Sequence, residues 1–189
     1  MPKKIKIGVM GGVGSFSEQA ANYYCLKEKI KNYQIEYLIT AENVLKGLKN
    51  KKIDKGIFPI ENSNGGIVLE AVYAMAKYNF KIENMFEIDI SHCLLKRKDV
   101  KIGEIKKIAS HQQALRQCRM YLKRKWQNAD LEEYKDTAEA ARDLSTGKLD
   151  KNAGVIANKI CATLYDLEIV EEGVQDLKFN FTTFVVAKN

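Results

Sequence analysis

An α/β fold built on a parallel sheet is what this sequence predicts, and three observations carry that prediction. Short β-branched runs alternate with longer stretches whose apolar residues recur at helical spacing. Gly-rich and Asn-Gly corners stand where strand-like runs give way to helical ones. The 189 residues include only two prolines and no Ser/Pro-rich linker, so no flexible tether divides the chain.

Ile5–Met10 reads as the first strand, and Ser17–Lys29 as a helix with Ala20, Ala21, Tyr24 and Cys25 on one side. Ile35–Ile39 is a strand; Ala41–Lys49 is a helix that carries Val44, Leu45 and Leu48. Gly56–Ile60 is a strand that Pro59 helps to end, and Ile67–Tyr78 is a helix. A βαβαβα order of this kind means a parallel sheet covered by helices. The middle opens with a long apolar-alternating stretch, Phe80–Leu95. Strand Lys107–Ala109, helix Gln112–Trp126, strand Asp130–Tyr134, helix Thr137–Ser145 and strand Gly154–Ala157 follow. A helix at Asn158–Leu164, the segment Leu167–Glu171 and a last strand Thr183–Ala187 complete the order.

Composition narrows the function classes. Lys and Arg number 31 against 24 Asp and Glu, a formal charge of +7. The basic residues are dispersed and no aromatic-interleaved basic stripe is present, so a lysine-rich solvated surface is expected rather than a nucleic-acid partner. The same field draws in a small dianion. No apolar run is long enough to span a bilayer, and Met1-Pro2-Lys3-Lys4 leads into a strand rather than a signal sequence. A cytoplasmic location is therefore expected, with no membrane partner. Cys25, Cys93, Cys118 and Cys161 are scattered, and with His92 and His111 as the only histidines no metal site is expected.

Four short motifs could carry chemistry. In Gly11-Gly12-Val13-Gly14-Ser15-Phe16-Ser17, glycines allow a sharp turn, Ser15 or Ser17 can cap the next helix, and a helix N-terminus favours an anion. Neither a dinucleotide fingerprint nor a P-loop is present. In Pro59-Ile60-Glu61-Asn62-Ser63-Asn64-Gly65-Gly66, Asn62 and Ser63 are read as facing a ligand and Glu61 as scaffold. In Ser110-His111-Gln112-Gln113-Ala114-Leu115-Arg116-Gln117-Cys118, Ser110 is read as the N-cap of the strongest helix. Its hydroxyl and the first free N–H groups would form a second anion site. Gln117 stands two turns along the same face, while His111 is read as structural. The last motif is Asn180-Phe181-Thr182-Thr183-Phe184, in which strand alternation puts Thr182 and Phe184 on one face.

In that order and spacing the four motifs resemble the catalytic domain of prephenate dehydratase, over nearly the whole chain. The resemblance implies two lobes like a type II periplasmic binding protein with the active site in the interlobe cleft. Lobe 1 would be residues 1–80 with 166–189, and lobe 2 residues 81–165. It further implies a lyase that removes water and carbon dioxide from prephenate to give phenylpyruvate, in phenylalanine synthesis, without a cofactor or metal. Thr182 would be the catalytic residue and would act on the departing hydroxyl. Asn62, Ser63, Ser110, Gln117, Ser15 and Phe184 would bind the substrate. Aromatisation lowers the barrier, so hydroxyls, amides and helix N-termini suffice.

One position departs from the pattern: family members carry Thr-Arg-Phe where this chain has Thr182-Thr183-Phe184. A lost arginine–carboxylate contact would cost roughly 2–4 kcal/mol in the transition state. Lys178, Arg142, Arg116 or Arg119 could supply the charge instead, or the substrate could be arogenate. A non-aromatising prephenate decarboxylase and a non-catalytic sensor of small anions are the other readings. Family members also commonly carry a phenylalanine-binding ACT domain. No such domain is expected here, where the sequence ends at Asn189, so phenylalanine is not expected to regulate this polypeptide unless a partner supplies the domain. A homodimer or higher homo-oligomer is expected from the family.

Overall fold

The computed structural model describes residues 4–189. Met1-Pro2-Lys3, part of the segment read above as lacking a secretory signal, lies outside the described residues. The chain divides into two compact units, one of residues 1–89 with 181–189 and the other of residues 90–180.

In the first unit, β1 (Ile5–Val9), α1 (Phe16–Lys27), β2 (Tyr33–Tyr37), α2 (Ala41–Lys49) and β3 (Lys55–Asn62) alternate. The short β4 (Gly66–Ile67), α3 (Leu69–Lys77), β5 (Lys81–Asp89) and the C-terminal β11 (Phe181–Lys188) complete the unit. The sheet order is β2-β1-β3-β11-β5, with β4 paired to β3. Strands β2, β1 and β3 are parallel, as the βαβαβ order requires, whereas β11 runs antiparallel to both β3 and β5. Val44, Leu45 and Leu48 of α2 are buried with Ile53, Phe58 and Val185. Gly56 makes that packing possible, since a Cβ there would lie 2.5 Å from Val44 Cγ1.

Pro59 does not end β3. It lies inside the strand, where the pairing with β11 skips a residue: Thr183 opposes Glu61 but Phe184 opposes Pro59. A proline lacks an N–H and is accommodated where a bulge already interrupts the ladder.

In the second unit, β6 (His92–Arg97), β7 (Lys107–His111), α4 (Gln112–Gln117), α5 (Arg119–Lys125) and β8 (Asp130–Tyr134) come first. They are followed by α6 (Thr137–Thr146), β9 (Ala153–Asn158), α7 (Ile160–Leu164) and β10 (Leu167–Glu172). The sheet order is β10-β6-β9-β7-β8. Strand β9 is buried at every position because both sheet faces are covered. Leu95, Ala109 and Val155 pack with α6 on one face, and Leu94, Ile108 and Ile156 pack with α4 and α5 on the other.

The unit boundaries differ from those read from sequence, near residues 80 and 165. Strand β5 belongs to the first unit because it pairs along its length with β11. Strand β10 belongs to the second because it pairs with β6. The expected single helix over 112–126 is broken at Cys118. There the Asp176 N–H donates to Gln117 O at 2.8 Å, and the Asp176 carboxylate accepts from the N–H groups of Met120 (2.7 Å) and Tyr121 (2.8 Å). Among the described residues, no helix is long and apolar enough to cross a membrane.

Candidate functional site

The first unit brings three of the expected residues together where β3 ends beside the start of β11. Thr182 opposes Asn62 across this pair, and both are 7% exposed. Backbone groups fix the polarity of the Asn62 amide. Its Oδ1 accepts from the N–H of Asn64 (3.0 Å) and of Gly65 (2.8 Å), so the other end must be Nδ2. That Nδ2 donates to Phe181 O (3.1 Å) and to Thr182 Oγ1 (2.9 Å). Thr182 is therefore held as an acceptor from Asn62, and its own hydroxyl hydrogen must point elsewhere. Ser63 completes the group: its N–H donates to Phe181 O at 2.8 Å and its Oγ accepts from Phe181 N–H at 3.0 Å. The strand bearing Thr182 is thus gripped at the preceding residue by both Asn62 and Ser63.

Thr183 faces the other way. Strand alternation puts its side chain on the face opposite Thr182, between its cross-strand neighbours Glu61 and Glu87. Its Oγ1 donates to Glu87 Oε1 at 3.2 Å. An arginine at this position would stand in register between two carboxylates of the protein itself.

Two further expected residues of this unit have structural work. Ser15 is the N-cap of α1, where its Oγ accepts from Glu18 N–H at 3.3 Å. The anion at that helix start is the protein's own, since Glu18 Oε2 accepts from Gly14 N–H at 2.6 Å and its Oε1 from Tyr37 OH at 2.7 Å. Gly11 and Gly14 take left-handed φ values of 93° and 86°, which explains these two glycines of the turn without a ligand. Phe184 is 1% exposed and stacks on Phe86, at 6.0 Å between ring centroids, which in turn stacks on Tyr24 at 5.8 Å. It is a core residue; alternation placed it correctly on the Thr182 face but could not tell its depth.

In the second unit, Ser110 is not a cap. It lies in β7 opposite Glu133, is fully buried, and its Oγ donates to Ile156 O at 2.6 Å. His111 caps α4 instead, its Nδ1 accepting from Gln113 N–H at 3.2 Å. Gln117 ends α4, with its Oε1 3.0 Å from Asn180 Nδ2 and 2.8 Å from His92 Nε2. Asn180 and His92 were not singled out as site residues from sequence. The available signal was a polar residue near each end of the segment 90–180, both now seen to be buried. Burial holds the His92 pKa below its ordinary value, so the ring is neutral at neutral pH.

Arg142, one of the cations considered above as a substitute for the missing arginine, is paired with Glu139 (3.2 Å) and Asp143 (3.1 Å). All four cysteines are buried and none is in a disulfide, and burial raises the Cys25 pKa to about 11. Among the described residues no cluster of three or more His, Cys, Asp or Glu could hold a metal ion.

Two α/β units, each with helices on a mixed sheet, define a protein of periplasmic-binding-protein-like fold. A nutrient binding protein from Burkholderia cenocepacia bound to methionine shares that fold at a TM-score of 0.52 and 14% identity, covering 97% of this chain and 84% of that one. More specifically, residues 7–189 match the prephenate dehydratase family, and the chain belongs to it. A relative from Arabidopsis thaliana, arogenate dehydratase/prephenate dehydratase 1, is 32% identical over 186 residues, covering 97% of this chain and 45% of that protein. The prephenate dehydratase of Arthrobacter aurescens, solved in complex with L-Phe, is similar at a TM-score of 0.85 and 22% identity, covering 98% of this chain and 60% of that one. The chain spans about half the length of the curated relatives it matches, between 45% and 49% of the first two.

Proposed function

We propose that this chain catalyses the decarboxylating dehydration of prephenate to phenylpyruvate, a step of L-phenylalanine synthesis. Family membership supports the reaction class. The observation that carries the assignment of roles is the Asn62–Thr182 pair, a buried hydroxyl whose lone pair is occupied and whose hydrogen is directed away from its partner.

In the proposed step the ring carboxylate of prephenate leaves as carbon dioxide. The electron pair of the broken C–C bond enters the ring as the C–O bond at the opposite carbon breaks, and the departing oxygen leaves with the electrons of that bond. A threonine hydroxyl is far too weak an acid to transfer its proton at neutral pH. Thr182 instead donates a hydrogen bond that strengthens as charge grows on the departing oxygen, and solvent supplies the proton that makes water. Asn62 holds the donor in place, and Ser63 holds the strand that bears it. Gln117 contributes a neutral donor to the substrate. Ser15, Ser110 and Phe184 shape and stabilise the units rather than touch the substrate. No step calls for a cofactor or a metal.

The test is direct. The purified chain is mixed with prephenate and phenylpyruvate is followed by its absorbance in alkali. Its appearance at a rate proportional to protein supports the reading. Loss of prephenate without it points to a non-aromatising decarboxylase, and saturable binding without turnover to a sensor. Arogenate offered in parallel would yield phenylalanine, and faster turnover of arogenate would move the assignment to that substrate. We further infer that the chain works in the cytoplasm, which four cysteines held outside any disulfide support, and as a homodimer or larger assembly, which light scattering after size-exclusion chromatography tests.

A further inference from the structure

A backbone carbonyl sets the polarity of a buried side-chain network in the second unit. Ile90 O can only accept, and Asn180 Nδ2 lies 3.1 Å from it, so that end of the Asn180 amide must be the NH2 group. The same nitrogen lies 3.0 Å from the Gln117 amide, so the nearer Gln117 atom must be an acceptor, Oε1. His92 Nε2 lies 2.8 Å from that same oxygen and must therefore carry the ring hydrogen. Each assignment follows from the one before it, because a carbonyl oxygen can only accept and each neighbour must then take the complementary role.

The network is held from its ends as well. The Ile90 N–H donates to Asn180 O at 2.7 Å, so these two residues are clasped by both a backbone and a side-chain bond. The His92 N–H donates to Gln175 Oε1 at 3.0 Å, and His92 O accepts from Val174 N–H at 3.0 Å. The Gln117 backbone carbonyl is anchored by Asp176. Asn180 is fully buried and His92 is 3% exposed, so turning either would break these bonds with no water to replace them. Neutral His92 has one ring hydrogen to place, and the network places it on Nε2.

We propose that Asn180 and His92 are positioning residues that lock the Gln117 amide with its oxygen inward, so that Gln117 presents its NH2 end to a carboxylate or carbonyl oxygen of the substrate. The orientation matters because a flipped amide would present an oxygen to an anion, replacing an attraction with a repulsion. The role assigned to the NH2 end rests on the proposed reaction; the polarity of the network does not.

The experiment separates the two. Long-range 15N–1H spectra of the full chain, with the H111Q variant assigning the two histidines, report which His92 nitrogen is protonated. The expected result is a neutral ring with hydrogen on Nε2. In N180D the residue facing Gln117 becomes an acceptor, so the amide should turn over and His92 should switch to the Nδ1–H form. In the same variant KM for prephenate should rise about tenfold or more with kcat changed less than about threefold, the loss of one hydrogen bond to a charged group. Should N180D not fold, H92F, which keeps a ring but no donor, should raise KM similarly, and H92Q, whose amide can donate, should restore part of the loss. A wild-type ring protonated on Nδ1, or a folded N180D with an unchanged tautomer, overturns the network. An inverted tautomer with unchanged KM, or an H92F no weaker than wild type, overturns the positioning role. A wild-type chain that does not turn over prephenate fails the reaction, while the spectra still decide the polarity.

Discussion

Replacing Thr183 by arginine restores the Thr-Arg-Phe sequence of the related enzymes and divides two accounts of this position. If an arginine there gripped a substrate carboxylate, its return would supply roughly 2–4 kcal/mol of transition-state binding, about 30- to 1,000-fold in kcat/KM. The geometry predicts otherwise. Thr183 points away from the Thr182 face and is flanked in register by Glu61 and Glu87, both exposed. An arginine would pair with those carboxylates, and exposed cross-strand pairs contribute only about 0.2–1 kcal/mol each. The expected outcome for T183R is a kcat/KM within about threefold of wild type. The thermal midpoint should rise by about 1–4 °C, the shift that such an energy produces in a chain of this size. The phenylpyruvate assay and a thermal melt at low ionic strength measure the two quantities. A rise in kcat/KM above about 30-fold would refute the reasoning and put residue 183 in contact with the substrate. Added salt should diminish the thermal gain, because the pairs are solvent-exposed.

Other substitutions and conditions test separate parts of the account. S15A removes the α1 cap and should cost about 1 kcal/mol of stability, seen as a lower denaturation midpoint, while KM for prephenate stays within about twofold. The His92 pKa is lowered by burial, so the unfolded chain takes up a proton at a higher pH than the folded one. Stability should therefore be complete above about pH 6.5, the ordinary histidine value, and fall as pH drops from there toward the lower folded value. Urea midpoints of H92Q should lack that component of the pH dependence. The four buried thiols should react with a chromogenic disulfide reagent at mildly alkaline pH only after denaturation. Rapid labelling of native protein would contradict the burial of Cys25 and Cys118.

Much of the fold was legible in the sequence because it is local. The βαβαβ opening, the α2 stripe of Val44, Leu45 and Leu48, and the alternation that sends Thr182 and Thr183 to opposite faces all follow from spacing. Distant partners decided the parts that were misread. Cys118 interrupts a helix because Asp176, more than 50 residues later, takes the backbone groups on either side. Ser110 looks like a cap until β8 is seen to extend β7 through His111, which moves the cap one residue along. Asn62 and Thr182 were legible as chemistry but not as a pair, since their contact spans 120 residues. The Asn180–Gln117–His92 network is likewise a product of tertiary structure, joining three segments that share no local pattern.

One hydroxyl hydrogen carries the proposed chemistry, and turnover of prephenate by Thr182 variants measures its worth most directly. T182V keeps the shape and removes the donor, so kcat should fall about 10²- to 10³-fold, the usual effect of deleting one donor to developing negative charge. T182S keeps the donor and should retain activity within about tenfold. A T182V enzyme within tenfold of wild type would contradict the claim that this threonine assists the departing oxygen.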